Sequence, residues 1–154
     1  MDQIPLPTGI AYLATPYSRY PGGPDMAFYR TATLAARLIR LGIHVYSPIA
    51  HTHPIAVYGD IDLFDHTIWL PFDEEMMKVS KLLLVAHMDG WEESFGISEE
   101  IKFFEAAHKP IFDLDPVSLV MVRRREMKPV RERIDGSVFE EVEKARKEWL
   151  GVQT

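Results

Sequence analysis

Lys81 is followed by Leu-Leu-Leu-Val-Ala, a run with no polar side on either face. A strand that alternates polar and apolar residues can leave one face in water. A strand without alternation has to be covered twice, which is the condition of a strand inside a parallel sheet. The flanking sequence supplies both more strands and the covers. Ile10–Thr15 (IAYLAT), Ile43–Ser47 (IHVYS), Lys109–Asp113 (KPIFD) and Val117–Val122 read as further strands. Ala27, Thr31, Leu34, Ala35, Leu38 and Leu41 follow helical spacing, with Asp25 as a candidate cap and Gly42 as the stop. Trp69–Val79 and Phe95–His108 read as two more helices, the second with Ile97, Ile101, Phe104 and Ala107 on its inner stripe. Residues 49–66 read as irregular. The alternation predicts an α/β, flavodoxin-like or Rossmann-like three-layer sandwich with a five-stranded, mainly parallel sheet.

A length of 154 residues fits one domain over residues 1–154. Its core is expected at about 10–113, with a strand, a basic arm (Arg123–Arg133) and an amphipathic helix, capped by Asp135 or Ser137 and reaching Leu150, making up 114–150. The net charge of −6 argues against a nucleic acid polymer as partner. There is no cysteine, which excludes a disulfide scaffold, a thiolate zinc site and a cysteine nucleophile. MDQIPLPTG lacks the character of a signal peptide, and no apolar run approaches the length of a membrane span. A cytoplasmic protein without membrane contact is expected.

In parallel sheets, ligands bind outside the carboxyl ends of the strands. Four segments are therefore of interest. Ala14–Pro24 (ATPYSRYPGGP) leaves the first strand and carries hydroxyls, Arg19 and the pair Gly22–Gly23. Glycine lets backbone N–H groups approach an anion and arginine adds a charged fork; a plain turn explains the same residues. It is not G-x-G-x-x-G, so no dinucleotide cofactor is expected. Ser47–Pro54 (SPIAHTHP) offers His51 and His53. Two histidines so spaced can chelate a metal, but no third ligand follows at a recognised spacing. No metal is expected, and His51 is read as lining a polar pocket or lying on the surface. Asp73 opens an acidic run that would ordinarily be a solvated helix face. Asp89–Glu100 (DGWEESFGISEE) joins the third strand to the next helix. Ser94 and Gly96 fall near the helix start, where free N–H groups favour an anion. Glu100 lies one turn inside, with Gly96 and Ile97 before it and Phe103 and Phe104 after it. A carboxylate among such neighbours is partly desolvated, which suits a nucleophile or base. Periodicity does not separate Glu99 from Glu100.

Together these segments resemble the nucleoside 2-deoxyribosyltransferase superfamily. Tyr12-Leu13-Ala14-Thr15-Pro16 is similar to its opening Y-x-A-G-P strand, with Thr15 in place of glycine. Asp73 followed by Val79-Ser80-Lys81 resembles its Asp-led helix and third strand. Ser94-Phe95-Gly96-Ile97-Ser98-Glu99-Glu100 resembles its S-x-G-x-x-x-E segment. Ala106-Ala107-His108-Lys109-Pro110-Ile111 resembles A-x-G-K-P-V, with His108 where glycine is usual. The resemblance covers residues 10–113. It implies Glu100 as nucleophile, Tyr12 as the residue that orients it, and Asp73 as proton donor to the leaving base or ligand to the sugar. Serine at 94 is similar to the branch of 2′-deoxynucleoside 5′-phosphate N-hydrolases, where it helps hold the phosphate. Thr15, Ser18, Arg19, Gly22, Gly23, His51, Ser94 and Gly96 are then the expected substrate-binding residues. The implied activity is cleavage of the N-glycosidic bond of a (deoxy)nucleoside 5′-monophosphate, with hydrolysis favoured. The alternatives are nucleoside deoxyribosyl transfer and a non-catalytic nucleotide-binding or sensing domain. The implied partners are a small nucleoside or nucleotide and, for a site shared between subunits, a second copy of the chain.

Overall fold

The computed structural model of the chain describes residues 8–125. The expected basic arm beyond Arg125 and the final helix lie outside them. The expected sandwich is present. Its sheet has the order β2-β1-β3-β4-β5. Strand β1 (Ala11–Ala14) lies parallel between β2 (Val45–Tyr46) and β3 (Leu82–Ala86). On the far side of β3, β4 (Ile111–Leu114) is parallel and β5 (Met121–Arg123) closes the sheet antiparallel.

Strand geometry sends alternate side chains to opposite faces, and the two cores sort accordingly. Ala11, Leu13, Leu82, Leu84 and Phe112 pack on Leu34, Ala35 and Leu38 of α1 (Pro24–Arg40). Tyr12, Ala14, Leu83, Val85 and Ile111 pack on Met77 of α3 (His66–Val79) and on Ile97 and Phe104 of α4 (Phe95–Ala106). Every residue of β1 and of β3 is buried.

Four expectations are corrected. Residues 49–66 are not irregular: Pro48–Gly59 forms a helix, α2. Ser47 caps it by accepting from the Ala50 N–H at 3.2 Å, and Pro48 sits in the first turn, where a missing N–H costs nothing. Pro54 interrupts the pattern, yet Thr52, His53 and Ala56 are buried and hold the helix by packing. His53 stacks on Phe28 of α1 at 4.6 Å, and His51 on Phe72 of α3 at 5.5 Å. Helix α2 therefore touches a helix of each outer layer. The first helix starts at Pro24 after Gly23, so Asp25 is not its cap; the Asp25 carboxylate instead lies 3.2 Å from His53 Nε2. The last strand is Met121–Arg123 rather than Val117–Val122. The Asp115 carboxylate takes the N–H groups of Val117 (2.8 Å) and Ser118 (3.1 Å), which turns the chain there and removes those donors from any ladder. Arg124, expected in a solvated arm, grips Asp113 with two bonds of 2.9 and 2.8 Å.

Replacing Leu84, fully buried in the central strand, with alanine is expected to cost about 2–5 kcal/mol of stability. Replacing Val122, 61% exposed on the edge, should change stability by no more than about 0.5 kcal/mol. Urea unfolding of the two variants checks the contrast.

Candidate active site

The order 2-1-3-4-5 reverses at β1, so a crevice is expected outside the carboxyl ends of β1 and β3. The loops leaving these strands meet there. Gly90, after β3, has φ +84°, and a Cβ built on it would lie 2.8 Å from the backbone oxygen of Arg19, after β1. Only glycine allows both the dihedral and the approach.

Tyr12 is buried completely in β1. Its hydroxyl donates to Glu100 Oε1, on the second turn of α4, at 3.2 Å. Glu100 is itself buried, and its other oxygen, Oε2, has no hydrogen-bond partner among the described residues. Glu99 faces outward and pairs with Lys102 at 2.9 Å. The structure thus separates the two glutamates that spacing alone leaves equivalent.

Asp73, from α3, completes the group. Its Oδ1 is buried without a partner among the described residues. Desolvation pushes its carboxyl up to about 7. Burial also raises the Glu100 carboxyl well above its ordinary range, with the Asp73 charge adding to the effect and the Tyr12 hydrogen bond opposing it. The Tyr12 hydroxyl is raised in turn, by burial first and then by Glu100 and Asp73. Two desolvated carboxyls, with the charge of Asp73 raising Glu100 further, are an arrangement able to hold one proton and offer one anion.

Sequence reasoning does not single out Tyr46. It is the last residue of β2, lies in register with Tyr12, and sets its ring 5.8 Å from that of Tyr12, tilted by 52°. Its hydroxyl is a third buried polar atom without a partner among the described residues. The available signal was its place, an aromatic residue with a polar tip at the exit of a strand beside the first strand.

The remaining expected residues divide. Ser94 is buried and caps α4, its Oγ accepting from the Ile97 N–H at 3.3 Å while its own proton stays available. Gly96 lies in the first turn of the same helix. Ser18 and Arg19 are exposed on the first loop. Gly22 and Gly23 take φ +96° and +89° at the start of α1. Thr15 is buried and accepts from the Thr31 hydroxyl at 3.1 Å, so its oxygen serves the α1 packing. His51 lies between Tyr46 (6.0 Å) and Phe72. His53 points elsewhere: Tyr17 bonds its Nδ1. Among the described residues no group of three or more histidine, aspartate or glutamate side chains could hold a metal ion. An open cleft of about 1110 Å³ lies on the α1 face, lined by Arg30, Leu34, Arg37, His87 and Asp113, on the other side of the sheet from Glu100.

Residues 9–115 match a domain of unknown function, DUF1937. The chain belongs to that family. The DUF1937 span runs from just before β1 to just after β4 and so includes Tyr12, Tyr46, Asp73, Ser94 and Glu100. No curated protein matches the chain. No helix among the described residues of this DUF1937 protein is long and apolar enough to cross a membrane.

The raised Asp73 pKa has a thermodynamic consequence. The unfolded chain releases this proton near 3.8 and the folded one near 7, so the unfolded state binds fewer protons between these values. Stability from this group is therefore full at acid pH and falls as pH rises to about 7. At about 1.4 kcal/mol per unit, the loss is at most roughly 4 kcal/mol. Asp73→Asn should remove this dependence, gaining on the wild type between about pH 4 and 7 and keeping a constant lead above. Denaturant midpoints across that range test it; a lead that is flat with pH would contradict the burial of an acid at 73.

Proposed function

We propose that this DUF1937 protein cleaves the N-glycosidic bond of a nucleoside 5′-monophosphate, with Glu100 as nucleophile and water as the final acceptor. The buried Tyr12–Glu100 hydrogen bond, with the Asp73 carboxyl beside it, carries the reading. The resemblance of the 12–16, 73–81 and 94–100 segments to the nucleoside 2-deoxyribosyltransferase superfamily gives that geometry its chemistry. It extends to the serine at 94 that marks the N-hydrolase branch.

The reaction needs Glu100 ionised and Asp73 protonated. Glu100 Oε2 bonds to C1′ as the C1′–N bond breaks, through an oxocarbenium-like centre. The electron pair of that bond stays on the base, which takes the Asp73 proton. Water then attacks C1′ of the glycosyl ester, its proton returns to Asp73, and Glu100 leaves as the carboxylate. Burial opposes the charge on Glu100, and the Tyr12 hydroxyl is the group that favours it. Tyr12 therefore sets how much nucleophile is available. The amide groups at the start of α4 and the Ser94 hydroxyl are suited to an anion, which favours a 5′-phosphate.

Glu100→Ala is expected to lower base release by about a thousandfold or more, over 4 kcal/mol of barrier, while Glu99→Ala keeps most activity. The rate should fall as pH rises through about 7, where Asp73 loses its proton, and fall again towards acid pH as Glu100 takes one up. Ser94→Ala should raise KM for the monophosphate by roughly tenfold or more and for the free nucleoside much less, as for loss of a bond to a charged group. Chromatographic assay of released base over both substrate forms is the test. Undiminished turnover by Glu100→Ala would remove the nucleophile, and an equal effect of Ser94→Ala on both forms would remove the phosphate.

A further inference from the structure

Three buried polar atoms in the candidate site lack a partner among the described residues: Glu100 Oε2, Asp73 Oδ1 and the Tyr46 hydroxyl. Buried polar groups are almost always paired, and a buried tyrosine hydroxyl usually finds a partner. The chemistry proposed above uses the two carboxyls and leaves Tyr46 without a role. Packing accounts for its ring, which lies 5.8 Å from Tyr12 and 6.0 Å from His51. It does not account for the hydroxyl.

The His51 ring touches both Tyr46 and Phe72, the residue before Asp73 in α3, at 6.0 and 5.5 Å. Burial and then the Asp73 charge push the Tyr46 hydroxyl up to about 12, so it stays a donor at all working pH and is close enough to Asp73 to feel its charge. No hydrogen bond joins the two groups, and each polar atom is buried without a partner among the described residues. A group that completes both must accept from Tyr46 and give a proton to Asp73 Oδ1. A phosphate oxygen has no such proton at neutral pH and would meet the Asp73 and Glu100 carboxyls. A neutral hydroxyl does both through a single oxygen.

We propose that Tyr46 and Asp73 Oδ1 together bind one ring hydroxyl of the substrate sugar, which makes Tyr46 a specificity-determining residue. The inference rests on the glycosidic reading, because Glu100 Oε2 has to face C1′ and the groups beside it then face the sugar. The hydroxyl accepts from the Tyr46 O–H and donates to Asp73 Oδ1. The other Asp73 oxygen keeps its proton for the leaving base. The bridge separates sugars that carry that hydroxyl from those that lack it, and comparison of ribose, 2′-deoxyribose and 2′,3′-dideoxyribose tells which hydroxyl it is, since a substrate without it leaves both protein atoms unpaired.

The test is a cycle between Tyr46→Phe and the sugar. Adenosine and cytidine, their 2′-deoxy and 2′,3′-dideoxy analogues, and all the 5′-monophosphates are assayed with both proteins. In the wild type, removing the bridged hydroxyl should lower kcat/KM by about tenfold or more. In Tyr46→Phe the same removal should cost less than about threefold, with KM for the hydroxylated sugar carrying most of the loss. Thermal melting shows whether the variant is folded. The same panel is titrated calorimetrically into Glu100→Ala and Glu100→Ala/Tyr46→Phe proteins, which reads the coupling without turnover. Equal sugar discrimination with and without the Tyr46 hydroxyl, in rate and in binding, would overturn the inference while base release by the wild type leaves the glycosidic reading standing. Sugar coupling in binding without base release by the wild type would do the reverse. Absence of any binding would overturn both.

Discussion

Strands β1 and β3 lie side by side at the centre of the sheet with solvent on neither face. Backbone groups in such a position are fully paired along the ladder, and every side chain has to find a place in one of two cores. Most of these side chains are aliphatic. Tyr12 is the one that brings a polar atom into the dry layer, and Glu100 on α4 is what it meets. Because the sheet and α4 exclude water, the carboxylate is held in a medium that disfavours its charge, and Asp73 feels the same medium from α3. The electrostatics of the site thus descend from the packing of two strands.

The two faces of the sheet are used differently. On the α1 side the core is apolar, with the buried hydroxyls of Thr15 and Thr31 paired to each other. At its edge Asp113 is matched by Arg124 and by His87 at 2.7 Å, so the charges there are already compensated. On the α3–α4 side three buried polar atoms have no partner among the described residues. Buried groups without partners have more to offer a ligand than a cleft edge whose Asp113 is already paired. Unmet hydrogen bonding, more than cavity size, directs attention to Glu100.

Much of this was legible in the sequence, for identifiable reasons. The apolar runs at 10–15 and 81–86 and the helical spacing from Ala27 to Leu38 reflect burial on a regular period, and each became an element of the expected type. Helix α2 was hidden because its two prolines and two histidines do not mark a face. It is held by a cap and by ring stacking against two helices, which hydrophobic periodicity does not record. The last strand was misplaced because Val117 and Val120 look like strand residues, while the local bonds of Asp115 decide the turn. Within the site, Glu100 was indicated by its neighbours but Glu99 was separated only by the fold. Tyr46 showed only its place at the end of a strand; that its hydroxyl has no partner among the described residues is something no residue pattern displays.

The contact between Gly90 and the Arg19 backbone joins the two loops at the crevice directly, main chain to main chain. Their closeness depends on a single hydrogen atom, the one that stands where other residues carry a methyl group. Any side chain at 90 would press on the Arg19 carbonyl as a wedge between the two loops, at a position that is none of Tyr12, Asp73 or Glu100. The spacing of these loops is in that sense a separate variable from the reactive groups, set at one position in the chain.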